Sequence, residues 1–390
     1  MQKYYSILIA CSISIMALLF ILLPQHTLYA SVRGLQTWFD IVFPSLLPFF
    51  IMSELLMMYG IVQAIGILSE PIMRPFFRVP GAGSFAFVVG MASGYPLGAK
   101  ITASLREKNY INQIEAERLL TFSNAASPLF LFGVIAISFF QDKYIGILLA
   151  LSHYTSNIFV GLCMKFYYAN KPDTQKVEQQ SNISVRALRA LHKTRILDKR
   201  AFGEKLGDAV QSSIQTLLII GGFIILFSVI THLLHTIYFF EKVMEPFVPT
   251  SLKPVVTPFF TGLFEITTGT ELIASLHSVP TIIKLCAVSF ILGFHSLSIQ
   301  AQVASVISKT DIRFSPYFFG RLLQSIFSVL ITYCSYQVFF STKIKEVTST
   351  EVANIPNTSY YVVHFFQQYG FYITSFTLCI YLIIKYRRLT

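Results

Sequence analysis

Polar side chains that could bind a small solute fall at four places within strongly apolar sequence. The first place contains Ser93, Tyr95 and Lys100, the second Asn124 and Ser127, the third Glu265, Thr267, Thr268, Thr270 and Glu271, and the fourth His295, Ser296 and Ser298. Such groups can hold an anion or a polar carbonyl, and carboxylates within a membrane often serve a coupling cation or proton instead. The sequence contains no HExxH, no GxSxG and no paired Asp in its apolar stretches. We therefore predict no enzymatic activity, no metal site and no cofactor.

Each of these places carries residues that interrupt a helix. The first and third lie inside Gly83–Leu105 and Val256–Leu276, and the second and fourth contain Pro128 and Gly293. An unwound break exposes the N-terminus of the following half-helix, whose unpaired N–H groups and positive dipole end attract an anion or a carbonyl. Four such breaks around one cavity favour an anionic or polar organic solute, to which Lys100 would add a full positive charge.

The charged residues at the breaks leave alternatives open. Lys100 either meets the solute directly or pairs with Glu271 as a structural ion pair, because an unpaired charge in a membrane is costly. Glu265 and Glu271 oppose an anion and favour a coupling cation or proton. His295 is either a site residue or a polar contact between helices.

The chain repeats itself at an offset of 171 residues. Ser45-Leu46-Leu47 returns as Thr216-Leu217-Leu218, Gly98 as Gly269 and Ser127 as Ser298. The same offset makes Lys100 and Glu271 equivalent positions. Paired, interrupted helices in the two halves of a membrane protein are the usual mark of a secondary transporter.

Composition places the chain in a membrane, with 54% apolar residues, 13% charged residues and 37 Phe among 390 residues. A helix needs roughly 20 apolar residues to cross the hydrocarbon core. We predict eight such stretches: Tyr5–Leu23, Leu35–Met58, Leu119–Phe140, Ile145–Tyr167, Ala209–Leu234, Thr281–Ser305, Tyr317–Phe340 and Val362–Ile384. The predicted fold class is an all-α polytopic membrane protein with about eight transmembrane helices.

Two further apolar segments, Gly83–Leu105 and Val256–Leu276, are better drawn as re-entrant helical hairpins. Each arm holds about 10 residues, which reaches only about halfway through a bilayer. Each half then has three true crossings, so the second copy enters from the opposite face and the repeat is inverted. The predicted organisation is a first transmembrane helix and loop at 1–34, a first repeat at 35–168, a basic linker at 169–207, a second repeat at 208–340, and a loop with the last transmembrane helix at 341–390.

The distribution of basic residues orients this drawing. The net charge is +11, and with a cytoplasmic N-terminus most Lys and Arg fall on cytoplasmic segments, as the positive-inside rule requires. The linker Asn170–Gly207 is the densest basic cluster and is expected to be a solvated cytoplasmic anchor, with binding to anionic lipids as the alternative. We expect the lipid bilayer to be a partner and nucleic acid not to be one. A homo-oligomer is one alternative for the assembly.

Several segments resemble a known family. FPSLLPFFIMSELL, GMASGYPLGAKITASLRE, FSNAASPLFLFG, FEITTG and GFHSLSIQAQVAS are similar to segments of the YlbJ-type sporulation integral membrane proteins of endospore-forming bacteria, which carry two nucleoside-recognition (Gate) domains. The resemblance covers about Phe43 to Ile307. His295-Ser296 stands where the family tends to have glycines.

The resemblance implies an architecture like that of concentrative nucleoside transporters and a location in the outer forespore membrane. It also implies a role in moving dipicolinate out of the mother cell during sporulation. Dipicolinate is a flat aromatic dianion, so half-helix N-termini and Lys100 would suit its carboxylates, and Tyr95, Phe264 or Phe294 could stack on its ring. The alternatives are a nucleoside-type transporter and a non-transport sporulation membrane assembly protein.

Overall fold

A computed structural model describes residues 2–170, 183–244 and 248–346. Throughout these ranges the chain is helical and contains no β-strand. Residues 1–339 form one compact unit and residues 340–390 a second, of which only the end of one helix is described. The predicted last span, Val362–Ile384, lies outside the described residues.

The helices follow one another along the chain with few long connections. In order they are α1 (Gln2–Leu22), α2 (Pro24–Gln36), α3 (Phe43–Met58), α4 (Ile61–Phe77), α5 (Gly83–Ser93), α6 (Leu97–Glu107), α7 (Gln113–Ser123), α8 (Lys143–Met164), α9 (Ile183–Leu197), α10 (Phe202–Thr236), α11 (Phe239–Met244), α12 (Lys253–Phe264), α13 (Ile266–Ala274), α14 (Thr281–Phe294), α15 (Leu297–Ile307) and α16 (Phe314–Glu346), with π-helices at Thr37–Val42 and Leu129–Phe139 and a 3-10 turn at Thr250–Leu252.

Four helical segments of the described chain are long and apolar enough to cross a membrane: Lys143–Met164, Phe202–Thr236, Thr281–Ile307 and Phe314–Val338. Two sharply bent pairs raise the number to as many as six. Ala10–Leu22 meets Pro24–Asp40 at 101°, and Leu46–Met58 meets Ile61–Phe77 at 81°. An all-helical protein with several candidate spans is therefore confirmed, whereas the count of eight spans stays a prediction.

The predicted segment Leu35–Met58 is part of a longer element. The helix begins at Pro24, continues through the π-helix and ends at Met58. Gly60, with φ of 78°, makes the turn into α4, a conformation that costs glycine little. Helix α4 was not predicted from the sequence, because Pro71 and Pro75 interrupt its apolar pattern.

Both predicted interruptions of long helices are present. The segment Leu119–Phe140 is not one continuous helix, because α7 ends at Ser123 and residues 124–127 are non-helical before the π-helix. The helix that begins at Thr281 is broken at His295, whose φ of 63° lies in the left-handed region.

Each segment predicted to be a re-entrant hairpin contains a pair of packed short helices, and re-entrance itself stays a prediction. The second pair joins at Glu265, so Thr267, Thr268, Gly269 and Thr270, which were predicted to interrupt this segment, lie within α13 instead. In the first pair, α5 packs against α6, and a Cβ atom on either Gly90 or Gly98 would collide with the carbonyl oxygen of Ser123. In the second, α12 packs against α13, and a Cβ on Gly269 would collide with the backbone of Gly262. Glycine is therefore required where the first hairpin approaches the end of α7 and where the arms of the second hairpin approach each other.

The long helix α10 runs against α2 and α3, so the first helices of the two predicted repeats contact each other. Its 35 residues span about 52 Å at the usual helical rise. The indole of Trp38 lies over Gly221 and donates a hydrogen bond from Nε1 to the carbonyl of Leu217 at 2.9 Å. This contact brings the π-helix of the first repeat against the middle of α10.

Candidate functional site

A cavity of about 120 Å³ lies where the two hairpin tips meet the two helix breaks. Seven of the predicted site residues line it: Ser93, Tyr95, Ser127, Glu265, Thr267, Ser296 and Ser298. Apolar side chains from the long helices complete the wall, among them Leu46, Ile220 and Ile224. A mostly apolar cavity with a few convergent polar groups is the usual form of a small-molecule site.

The first break is held by side chains of α8. The hydroxyl of Tyr154 donates to the carbonyl of Ala126 at 3.0 Å, and the N–H of Ala126 donates to Nε2 of His153 at 2.9 Å. The Asn157 amide donates to the carbonyl of Phe122. These bonds replace the helical hydrogen bonds that are lost at the break. Because Nε2 of His153 accepts the hydrogen bond from Ala126, the neutral ring carries its proton on Nδ1.

The second break is held between α15 and α16. The Gln300 amide donates to the carbonyl of Phe294 at 2.9 Å. A Cβ on Gly293 would lie 2.6 Å from the Cα of Ser325, so the helix can approach α16 this closely only with glycine at that position. Both Gly293 and His295 are thereby positioned against the same neighbour.

Two side chains of α16 connect the breaks to each other. The Tyr317 hydroxyl oxygen lies 3.0 Å from the Asn124 amide nitrogen and 3.0 Å from Nδ1 of His295. Nη1 of Arg321 donates to Nε2 of His295 at 3.0 Å and to the carbonyl of Asn124 at 3.3 Å. Because a guanidinium can only donate, Nε2 of His295 accepts and its proton lies on Nδ1, facing Tyr317.

Arg321 is fully buried and is the charged group nearest to this junction. Within the part of the chain that the structure describes, no carboxylate forms an ion pair with it, and its Nε has no hydrogen-bond partner. Its other contacts are with Gln324 and Asn157, and with the Tyr317 ring at 5.4 Å. Sequence reasoning missed Arg321, although an ionisable residue inside an apolar span is itself a signal of function.

Three residues of the cavity wall carry unsatisfied polar atoms. Ser93 Oγ, Tyr95 Oη and Ser296 Oγ are buried and have no hydrogen-bond partner among the described residues. Asn124 Oδ1, at the first break, is also buried without a hydrogen-bond partner among the described residues. Native proteins leave few buried polar groups unpaired, so a cluster of them indicates a place where a ligand or water completes the bonding.

The four half-helix N-termini are not equivalent, which corrects the expectation that all of them attract an anion. The Glu265 carboxylate accepts from the N–H groups of Thr267 at 3.0 Å and Thr268 at 2.7 Å, so α13 is already capped by an anion of the chain. Ser127 Oγ accepts from the N–H of Phe130 at 3.2 Å. The N-termini of α6 and α15 have no side-chain cap.

The other predicted site residues lie away from the cavity wall. The Thr270 hydroxyl donates to the carbonyl of Ile266 at 2.7 Å within its own helix. Asn124 and His295 lie behind the wall in contact with Tyr317.

Lys100 and Glu271 do not pair with each other. Lys100 forms an ion pair with Glu54 at 2.8 Å and a hydrogen bond to Ser212 at 3.2 Å. Glu271 pairs with Arg33 at 2.8 Å. The alternative of a Lys100–Glu271 ion pair is therefore wrong, and the positive charge nearest the breaks belongs to Arg321.

The packed short helices, the broken helices and the cavity between them define a helical membrane protein with discontinuous helices. Residues 39–140 match the sequence model of the Gate family, described as nucleoside recognition. The sporulation integral membrane protein YlbJ of Bacillus subtilis (strain 168) is 47% identical over 342 residues, which cover 85% of this chain and 82% of that protein. The chain belongs to the YlbJ family of sporulation integral membrane proteins. An uncharacterized protein of Alkalihalophilus pseudofirmus is 32% identical over 117 residues, 30% of this chain and 23% of that protein.

Proposed function

We propose that the chain transports a small organic anion by alternating access to the cavity between the two repeats. The observation that carries this proposal is the convergence of two hairpin tips and two helix breaks on one small cavity with unpaired polar atoms. Non-helical backbone inside a membrane is tolerated where it is buried in protein or lines a cavity. Discontinuous helices that meet at such a place are the usual substrate site of a secondary transporter.

An inverted repeat is part of the proposal. Ser127 and Ser298 are equivalent at the offset of 171 residues, and both line the cavity. The hairpin glycines Gly98 and Gly269 are also equivalent, and each lies at a close approach between backbones. Equivalent residues in equivalent roles support a pseudo-twofold axis through the cavity, which two oppositely inserted halves would generate.

Dipicolinate is the proposed solute, and the outer forespore membrane is the proposed location. Membership of a sporulation family supports a role in spore formation, and the resemblance described above connects that role with dipicolinate leaving the mother cell. Tyr95 lines the cavity with an aromatic ring that suits stacking on a flat heteroaromatic solute. A proton or a cation is the proposed coupling ion.

Competition uptake into proteoliposomes tests the solute class. Labelled dipicolinate uptake is expected to be inhibited most by dipicolinate, less by picolinate and least by uridine. Loss of one carboxylate removes a charge-assisted hydrogen bond, so picolinate should compete roughly tenfold less well. Equal or better inhibition by uridine would contradict the proposal.

Nucleoside transport is the second candidate, because the matching family model is described as nucleoside recognition and the wall presents the hydroxyls of Ser93, Ser127 and Ser298. Ribose hydroxyls could bond to these groups. Saturable uridine uptake without dipicolinate uptake would favour it, and the absence of uptake of either solute would favour a membrane assembly role.

A further inference from the structure

The positive charges near the cavity differ in how they are compensated. Lys100 faces Glu54 at 2.8 Å, and Arg33 faces Glu271 at 2.8 Å. Arg321 is fully buried, and no described carboxylate pairs with it. Buried charges in proteins are normally paired, so Arg321 stands apart from the other two cations.

Two aromatic rings, those of His295 and Tyr95, lie between Arg321 and the cavity. The Tyr95 ring lines the cavity and its centroid lies 4.7 Å from that of His295, whose other side accepts a hydrogen bond from Arg321. The Tyr95 hydroxyl is fully buried and has no hydrogen-bond partner among the described residues. Ser296 Oγ, next along the chain from His295, is also unpaired.

We infer that Arg321 is the counter-charge for a carboxylate of the solute and determines the preference for an anion over a neutral solute of the same shape. The inference rests on the proposed transport of an organic anion. At the low effective dielectric of a buried site, a cation stabilises an anion even across an intervening ring. The Tyr95 and Ser296 hydroxyls lie on this side of the cavity and donate to the carboxylate.

The inference also orients the solute. Glu265 is the carboxylate of the cavity wall, and it remains bound to the N-terminus of α13. A solute anion is repelled from that hairpin tip and attracted to the end formed by Tyr95 and Ser296. One carboxylate of a dianion therefore points towards Arg321.

Gln324→Glu is the sharpest test, because it supplies Arg321 with an internal counter-ion. The Gln324 side-chain oxygen already accepts a hydrogen bond from Nη1 of Arg321. Glutamate has nearly the same shape and keeps that bond, but gives up the donor to the carbonyl of His153. Gln324→Met is the matched control, since it loses the same donor without adding a charge.

The measurement compares dipicolinate with its neutral diamide, which has the same ring and shape, by the dissociation constants of the purified full-length protein. The wild-type protein is expected to prefer the dianion. In Gln324→Glu the preference should fall roughly tenfold or more, the scale of one charge-assisted hydrogen bond, with little change for the diamide. Gln324→Met should keep the preference, as should Lys143→Gln, which removes an exposed positive charge.

Arg321→Met should lose the preference, and Arg321→Lys should retain part of it. If Arg321→Met does not fold, Gln324→Glu decides, because it keeps the guanidinium and its bonds. A purely structural role for Arg321 predicts an unchanged preference in Gln324→Glu, and that result would overturn the inference. A wild-type protein that binds neither solute would overturn the proposed function itself, which separates the two failures.

Discussion

Removing one partner of the ion pair between Lys100 and Glu54 should be strongly destabilising, and the exposed ion pair between Arg33 and Glu271 provides the comparison. The 2.8 Å pair is mostly buried, with 17% and 15% of the two side chains exposed. Ser212 completes a triangle, accepting from Lys100 at 3.2 Å and donating to Glu54 at 3.1 Å. The Arg33–Glu271 pair has the same 2.8 Å separation, but its side chains are 44% and 49% exposed.

Lys100→Met leaves the Glu54 carboxylate buried with only the Ser212 hydroxyl as a donor. Removing one partner of a buried pair costs about 3 to 5 kcal/mol, and the retained Ser212 bond places this variant near the lower end, at about 3 kcal/mol. The double variant Lys100→Met/Glu54→Gln buries no lone charge, so it should be more stable than Lys100→Met alone. The exposed Arg33–Glu271 pair should contribute less than about 1 kcal/mol.

A double-mutant cycle for each pair, measured as the free energy of unfolding in SDS titrations of the purified protein, separates these cases. We expect a coupling energy of about 1.5 to 3 kcal/mol for Lys100–Glu54 and a value near zero for Arg33–Glu271. Equal coupling energies for the two ion pairs, or a double variant less stable than Lys100→Met, would contradict this prediction.

Three further predictions concern packing, pH and topology. Gly98→Ala would place a Cβ against the Ser123 carbonyl and should destabilise the protein by about 1 to 3 kcal/mol in thermal unfolding. The control Gly222→Ala places its Cβ in open space and should be neutral or stabilising. Equal effects of the two substitutions would contradict the packing prediction. The hydrogen bond from Arg106 lowers the pKa of Asp311. The ion pair therefore stabilises the folded state fully above the ordinary carboxylate pKa near 4, and this stabilisation is lost as pH falls through the lowered pKa. The free energy of unfolding of Asp311→Asn should lack that acid-dependent component. Single cysteines in 183–207 should react with an impermeant reagent only from the cytoplasm, and labelling from outside would exclude the inverted topology.

The sequence is informative wherever a local residue type dictates the backbone. Pro128 and Gly293 mark helix breaks that are present, because proline lacks a backbone donor and glycine weakens a helix. The turn of the first hairpin is equally visible, since Gly94, with φ of 92°, requires a residue without a Cβ. The turn of the second hairpin is at Glu265, a few residues before the predicted one, because its carboxylate caps α13. Much of the cavity wall could therefore be predicted from local chemistry alone.

Partners that meet only in three dimensions could not be predicted in this way. Lys100 and Glu271 are equivalent in the repeat, but each faces a residue of a distant helix, Glu54 and Arg33. Arg321 was not predicted as a site residue because the sequence of α16 has the pattern of an ordinary apolar span. Its importance comes from the helix breaks that pack against it, which no spacing within α16 reveals.

The capping of α13 by Glu265 bears on how a transport cycle could be completed. A hairpin tip whose N–H groups were satisfied only by cargo would be left with orphan donors after release, and each orphan costs about 1 to 3 kcal/mol. Glu265 satisfies the N–H groups of Thr267 and Thr268 from within the chain itself. In the proposed transport cycle, the unloaded protein would therefore meet no added barrier from this tip when it reorients.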